Sequence, residues 1–306
     1  MAPNHFLTLL DWSPDDVLQL LDRARRLKAW RRARVRRGTL AGRTVALIFE
    51  KASTRTRVSF EAGVANLGGA TVVLQSRDTQ LGRGEPAKDA ARVLGRYVDA
   101  IVMRTYAQAT LEEMAQHAGV PVINGLTDLD HPCQVLADLL TVAERRPNWR
   151  ELRWAYVGDG NNMANGLIAA AGVMGFELAI GCPEGFDPNA DYLARARAMQ
   201  GRVRVVRDPK DAARDADVLI TDVWTSMGQE GEEAVRKEKF APYQLNRQLL
   251  SLAHSDALVM HCLPAHRGEE ITEDVLESPQ SVVFDEAENR MPVQQAVLET
   301  LLGVPE

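Results

Sequence analysis

Short apolar runs rich in β-branched residues recur along this chain. They alternate with stretches in which apolar residues return every three or four positions. That alternation predicts parallel strands joined by helical crossovers, rather than a sandwich or a helix bundle. Two series are visible. The first places strands at Thr44 to Phe49, Ala70 to Leu74, Ala100 to Met103 and Val120 to Asn124, with helices between them, one opening at Pro86. The second places strands at Trp154 to Val157, Glu177 to Ile180, Val203 to Val206, Val218 to Thr221, Ala257 to His261 and Val282 to Phe284. Between the series, Cys133 to Arg146 reads as a linking helix stopped by Pro147. Ser13-Pro14 opens an earlier helix, and Pro292 to Leu302 forms a final one. The expected fold class is therefore α/β: two doubly wound domains, each around a central, mainly parallel sheet, joined by interdomain helices. Residues 1–146 make the first, with the terminal helix 292–306 packing back on it, and residues 147–291 make the second.

Composition narrows what such a molecule does. With 306 residues, 45% hydrophobic and 25% charged, the chain holds enough material for two cores. A net charge of −6 argues against a nucleic-acid partner. The basic run Arg31, Arg32, Arg34, Arg36 and Arg37 reads as a solvated helix end and loop before Gly38. Cys133, Cys182 and Cys262 contain no CxxC pair and are too scattered for a disulfide framework or a zinc site, which predicts a reducing, cytoplasmic setting. The N-terminus, Met1-Ala2-Pro3-Asn4-His5, carries neither a signal-peptide core nor a membrane span, so no membrane partner is expected.

In open α/β sheets, ligands bind beyond the carboxyl ends of the strands. After the first strand comes Ser53-Thr54-Arg55-Thr56-Arg57, which opens the amphipathic run Val58 to Leu67. Unpaired N–H groups and the positive end of a helix dipole favour a phosphate there, and two guanidiniums with several hydroxyls add matched donors. Arg104-Thr105 follows the third strand and Asp130-His131-Pro132-Cys133-Gln134 the fourth. The second series ends its strands on Gly158-Asp159-Gly160-Asn161-Asn162, on Asp222 with Ser226-Met227-Gly228, and on His261-Cys262-Leu263-Pro264. These neutral or acidic groups suit an amino acid.

Five of these segments together, in order and spacing over almost the whole chain, resemble the aspartate/ornithine carbamoyltransferase family. They are Ser53 to Arg57, Met103-Arg104-Thr105, His131 to Gln134, Asp222 to Gly228 and His261 to Pro264. The resemblance implies carbamoyl phosphate on the first domain, held by Ser53, Thr54, Arg55 and Thr56. Arg104, His131 and Gln134, with the backbone of Cys262 and Leu263, would surround the carbamoyl group, and Arg290 would make a further contact. It also implies that Gln80, in the loop Asp78 to Gly82, reaches a neighbouring subunit's site, hence a homotrimer. Asn162, Asp222, Ser226 and the backbone of Met227 would bind L-ornithine. Neither a metal nor an organic cofactor is implied.

The chemistry such a resemblance predicts is attack of a neutral δ-amine on an activated mixed anhydride. Arg104, His131 and Thr56 would stabilise the oxyanion, with Arg55 steadying phosphate and Arg57 either joining it or pairing with an acid such as Glu85. Deprotonating an amine with a pKa of about 10.4 at neutral pH costs roughly 4.6 kcal/mol, so Cys262 and Asp222 are the candidate proton acceptors. Catalytic roles thus fall to Arg104, His131, Cys262 and Asp222. An aspartate-specific relative would carry Pro-Leu-Pro-Arg at His261 to Pro264, which is absent; putrescine and N-acylated ornithine remain alternative acceptors. A dinucleotide-dependent dehydrogenase is disfavoured because Met163 stands where Gly158-Asp159-Gly160 would need a third glycine. A non-catalytic sensor is the remaining alternative.

Overall fold

The structure, a computed structural model, describes residues 4–225 and 230–305. The chain divides into two compact units: residues up to Leu140 together with those from Glu288 onward, and Thr141–Ala287.

The first unit holds a four-stranded, all-parallel sheet in the order β2-β1-β3-β4: β1 (Thr44–Phe49), β2 (Ala70–Gln75), β3 (Ala100–Arg104) and β4 (Val122–Leu126). Its helices are α1 (Pro14–Arg32), α2 (Thr54–Asn66), α3 (Ala87–Leu94) and α4 (Gln108–Ala118). α5 (Pro132–Arg145) carries the chain out of this unit. In the second unit a five-stranded parallel sheet runs β7-β6-β5-β8-β9: β5 (Arg153–Val157), β6 (Glu177–Gly181), β7 (Arg202–Val206), β8 (Val218–Thr221) and β9 (Leu258–His261). Around it lie α6 (Asn162–Met174), α7 (Ala190–Ala198), α8 (Pro209–Ala213), α9 (Glu233–Phe240), α10 (Arg247–Leu250) and α11 (Glu273–Leu276), and α12 (Val283–Leu301) returns the chain to the first unit.

Local chemistry accounts for most of these elements. Central strands such as β1, β5 and β8 are buried along nearly their whole length, as crossover helices on both faces require. The edge strands β2 and β7 alternate in exposure. At β4 the outer side is covered by Phe6, whose N–H donates to Val122 O at 2.9 Å and whose carbonyl accepts from Asn124 N at 2.8 Å. α1 starts on Pro14 with a reciprocal capping box between Ser13 and Asp16. It ends at the basic run, where Arg31, Arg32, Arg34 and Arg36 are exposed and Arg37 stacks 4.1 Å over Trp30.

The expected strand at Val282 to Phe284 is not one. Only Ser281 bridges to Val259, and α12 begins at Val283 and passes through Pro292 instead of starting there. Proline costs a helix the bond its own N–H would make to residue i−4, here Glu288, but the other ladder bonds of a long helix survive. The β-branched pair before Phe284 misleads because burial, not intrinsic preference, decides such short runs. Among the described residues no helix is long and apolar enough to cross a membrane.

Strand order is what positions the chemistry. From β1 the chain steps outward to β2 and then returns to β1's other side for β3 and β4; from β5 it steps to β6 and β7 and returns for β8 and β9. The winding reverses between β1 and β3 and between β5 and β8, the places where doubly wound sheets hold ligands beyond the carboxyl ends of their strands.

Candidate active site

At the β1/β3 reversal of the first unit, Ser53 caps α2 with an extended backbone, and its hydroxyl accepts from Thr56 N–H at 3.3 Å. The first turn of α2 holds no acidic residue, so the helix dipole meets no neutralising carboxylate from its own turn. Thr56 is buried, while Thr54 and Arg55 are exposed. Arg57 does not pair with Glu85: its Nε lies 3.0 Å from Glu61, one helical turn along, because an i,i+4 partner needs no loop to be ordered.

Arg104 ends β3, where a bulge between Met103 and Arg104 shifts the register against β4 and re-aims the strand end. Its carbonyl accepts from Glu50 N at 2.9 Å, which ties the β1 loop to β3. Thr105 donates to Glu50, and Lys51 pairs with Asp128 while lying 4.3 Å from the Tyr106 ring, so the three loops brace one another. His131 is buried just ahead of α5, and its carbonyl accepts from Gln134 N at 3.0 Å and Val135 N at 3.2 Å. Burial first, and then the Arg290 and Arg104 charges, hold its imidazole well below the ordinary histidine range. It is a neutral ring, and among the described residues its Nδ1 has no hydrogen-bond partner. Arg290 comes from α12 and is buried; Nη1 donates to Gln134 Oε1 at 2.6 Å and Nη2 to Thr56 Oγ1 at 3.2 Å. The structure therefore gathers Thr56, Gln134 and Arg290 directly, with Arg104 and Arg290 within electrostatic reach of His131. Gln80 is exposed in the loop after β2, and among the described residues its side chain bonds to none of these. Cys133 is core: burial pushes its thiol up to about 12.

In the second unit the β5/β8 reversal brings a different set together. Gly158-Asp159-Gly160 leaves β5, and a Cβ on Gly160 would lie 2.3 Å from Pro188 N, so only glycine fits against the 186–188 backbone. Asn161 caps α6 and Asn162 opens it. Asp222, after β8, is buried and receives Asn161 Nδ2 on Oδ2 at 3.0 Å and the Cys262 thiol on Oδ1 at 3.1 Å. His261, at the end of β9, is wholly buried. Its Nδ1 accepts from Leu263 N–H at 2.9 Å, so the ring proton sits on Nε2 and is donated to Glu270 Oε1 at 2.9 Å. Leu263 has φ +55°, a left-handed conformation that costs a non-glycine residue about 1–2 kcal/mol. The His261 bond is one of the contacts that hold it there. Ser226 and Met227 lie outside the described residues.

Four further contributors are not among the residues the sequence motifs point to. Tyr156 donates its hydroxyl to Asn161 Oδ1 at 3.1 Å; Glu270 orients His261; Glu286 accepts from His261 N–H at 3.0 Å; and Arg236 joins Asp159 Oδ2 at 2.7 Å to Trp224 O at 2.8 Å. Asn161 reads locally as a turn residue and Glu270 as half of an acidic pair, and nothing nearby in sequence marks their partners. An aromatic in the middle of a buried strand was the one usable signal, since a buried Tyr hydroxyl must find a partner.

Two doubly wound parallel sheets, one with a cation-and-donor set and the other with an acid among neutral donors at their reversal points, are the arrangement of an α/β enzyme of small molecules. The chain belongs to the aspartate/ornithine carbamoyltransferase family: the family's carbamoyl-P binding domain matches residues 4–144 and its Asp/Orn binding domain matches residues 150–301. Within that family the similarity is to ornithine carbamoyltransferases. That of Desulfotalea psychrophila is 54% identical over 302 residues, covering 98% of this chain and 100% of the relative. The anabolic enzyme of Pseudomonas aeruginosa is 51% identical over 99% of this chain and 98% of its own. The solved structure of the Pyrococcus furiosus ornithine carbamoyltransferase superposes with a TM-score of 0.95 at 45% identity, covering 100% of this chain and 99% of that one.

Proposed function

We propose that this enzyme transfers the carbamoyl group of carbamoyl phosphate to the δ-amine of L-ornithine, giving citrulline and phosphate. The observation that carries this reading is the location of complementary chemistry at both winding reversals: cations and a neutral imidazole at one, Asp222 with a thiol at the other. Phosphate binds the N-terminus of α2 with Ser53, Thr54, Arg55 and Thr56, and Arg104, His131, Gln134 and Arg290 hold the carbamoyl group. As the amine adds, negative charge develops on the carbamoyl oxygen, and Arg104, His131 and Thr56 donate to it. Neutral His131 keeps an N–H for that purpose without competing for the amine's proton. The amino acid binds Asn162, Asp222, Ser226 and the Met227 backbone, and the δ-ammonium surrenders its proton to the Cys262–Asp222 pair before attack. The C–O bond to phosphate then breaks, phosphate leaving with the electron pair and taking up the proton that the attacking nitrogen sheds. Gln80 serves a neighbouring subunit in a homotrimer, and the three free thiols suit the cytoplasm.

A citrulline assay with carbamoyl phosphate tests the reading, with ornithine, aspartate, putrescine and N-acetylornithine offered in parallel. Ureido product should form with ornithine; product from another acceptor alone, or from none, overturns the assignment. Light scattering should give about three times the 33.8 kDa chain mass, and a monomer carrying full activity would sink the shared-site proposal.

A further inference from the structure

Asn161 is fully committed at both ends of its amide. Its Oδ1 accepts from Met163 N–H at 3.0 Å, Ala164 N–H at 3.4 Å and the Tyr156 hydroxyl at 3.1 Å. Backbone N–H groups can only donate, so the oxygen's position is fixed by the helix and the amide NH2 is left pointing at Asp222 Oδ2, 3.0 Å away. The remaining Asp222 oxygen accepts the Cys262 thiol at 3.1 Å. Tyr156 anchors the far end of the chain: it lies wholly buried in β5, and burial, followed by the Asp222 and Asp159 charges, raises its hydroxyl well above the ordinary tyrosine value, so it remains a donor. A continuous line of hydrogen bonds thus runs Tyr156, Asn161, Asp222, Cys262, and its direction is set by the cap of α6.

We propose that Asn161 is a positioning residue for amino-acid recognition, fixing the plane of the Asp222 carboxylate so that its free lone pairs meet the substrate ammonium, with Tyr156 locking Asn161 in turn. This rests on the reading that Asp222 receives ornithine. A carboxylate on a single rotatable stem loses orientational freedom when it binds an ammonium. One already clamped through both oxygens has lost that freedom beforehand, and the difference is felt in affinity. The device also couples selectivity to fold, because the residue that starts α6 aims the acid.

Capping and positioning are separable by mutation. Asparagine, aspartate and serine are nearly equivalent N-caps. Asn161→Ser therefore keeps the helix start and removes the donor to Asp222, while Asn161→Asp keeps the cap and sets a second carboxylate against Asp222. Steady-state kinetics should show the ornithine KM about tenfold higher in Asn161→Ser, the size of one lost hydrogen bond to a charged group, and higher again in Asn161→Asp. The carbamoyl phosphate KM should stay within about twofold in both variants, and the thermal midpoint of Asn161→Ser should fall by only about 2–4 °C, since the cap is equivalent and the Tyr156 hydroxyl alone loses its acceptor. Tyr156→Phe should show the same pattern more weakly, since two backbone donors still hold the amide. In an Asp222→Asn background, Asn161→Ser should add little. Wild-type turnover of ornithine with an unmoved ornithine KM in both Asn161 variants overturns this inference alone. So does a rise in both KM values together with a lowered thermal midpoint. Wild-type protein that forms no citrulline overturns the substrate reading and this inference with it.

Discussion

Replacing Arg236 by methionine removes one member of a buried ion pair and leaves a hole in little else. The side chains of Arg236 and Asp159 are 6% and 9% exposed, and the guanidinium also bonds Trp224 O and lies 4.9 Å from the Phe186 ring. Methionine fills most of that volume, so the main loss is the partner of Asp159. Stranding one charge of a buried pair costs about 3–5 kcal/mol. For a unit of this size each kcal/mol moves the thermal midpoint by about 2–4 °C, so the fall should be on the order of 6–20 °C. Arg236→Met with Asp159→Asn should recover a large part, because the stranded charge is gone. The pH dependence carries a sign. Burial lifts the Asp159 carboxyl above its ordinary value, and the Arg236 hydrogen bond and charge restrain that lift. A carboxyl raised in the folded state binds its proton more tightly there than in the unfolded chain. Stability therefore increases as pH falls from the folded pKa toward the unfolded value of about 3.9. Without Arg236 the lift is larger, so the deficit of Arg236→Met relative to the double variant should shrink as pH falls from neutral toward the unfolded value of about 3.9. Differential scanning fluorimetry across that range is the assay. A midpoint within about 1 °C of wild type, or a double variant no better than Arg236→Met, refutes the reasoning; Arg236→Lys, which keeps the charge, supplies the comparison if methionine prevents folding.

For His131, whose imidazole is held below the ordinary range by burial and two arginines, the ring should stay neutral at pH 6 in nitrogen-detected NMR, and a titration centred near 6.5 would contradict this. Because the unfolded chain takes up this proton first, the site's contribution to stability should be lost as pH falls below about 6.5, and His131→Asn should flatten that limb. His131→Ala should lower kcat by about 10²–10³ with a smaller change in carbamoyl phosphate KM, as removal of an oxyanion donor does; the reverse split would argue for a binding role. Cys262→Ala should lower kcat and alter its pH profile if the thiol beside Asp222 relays the amine's proton, and an unchanged profile and rate eliminates that role. Gly160→Ala drives a Cβ to 2.3 Å from Pro188 N, so it should destabilise by more than the usual overpacking cost of about 1–3 kcal/mol and raise the ornithine KM through the neighbouring turn. Equilibrium unfolding and steady-state kinetics check it.

The periodicities and punctuation of the chain sufficed for most elements. β8 falls where its run of apolar residues begins and ends, and α1 opens where Ser13-Pro14 says it should. Those signals are local, as are the cap at Ser53 and the residue types that match carbamoyl phosphate and an amino acid. The exceptions are instructive. Val282 to Phe284 has strand-like residues, yet the pairing with β9 stops at Ser281 and the Val282 N–H, which donates to Val259 O at 2.9 Å, and α12 begins at Val283. Arg57 found its partner one turn away at Glu61 instead of across a loop at Glu85. Each turned on which competing contact the packed chain made available, a choice the flanking residues do not encode.

By itself, the sequence determined that two parallel α/β sheets form, which loops follow their strands, and which donors, acids and cations those loops carry, because strand and helix periods and caps act over a few residues. Tertiary structure alone decided which of them meet. It brought Arg290 to Thr56 across 234 positions, Cys262 to Asp222 across 40, and Asn161 to Asp222 across 61. It also made His131 neutral, since that state depends on burial and on the fields of Arg290 and Arg104, which act through space and not along the chain.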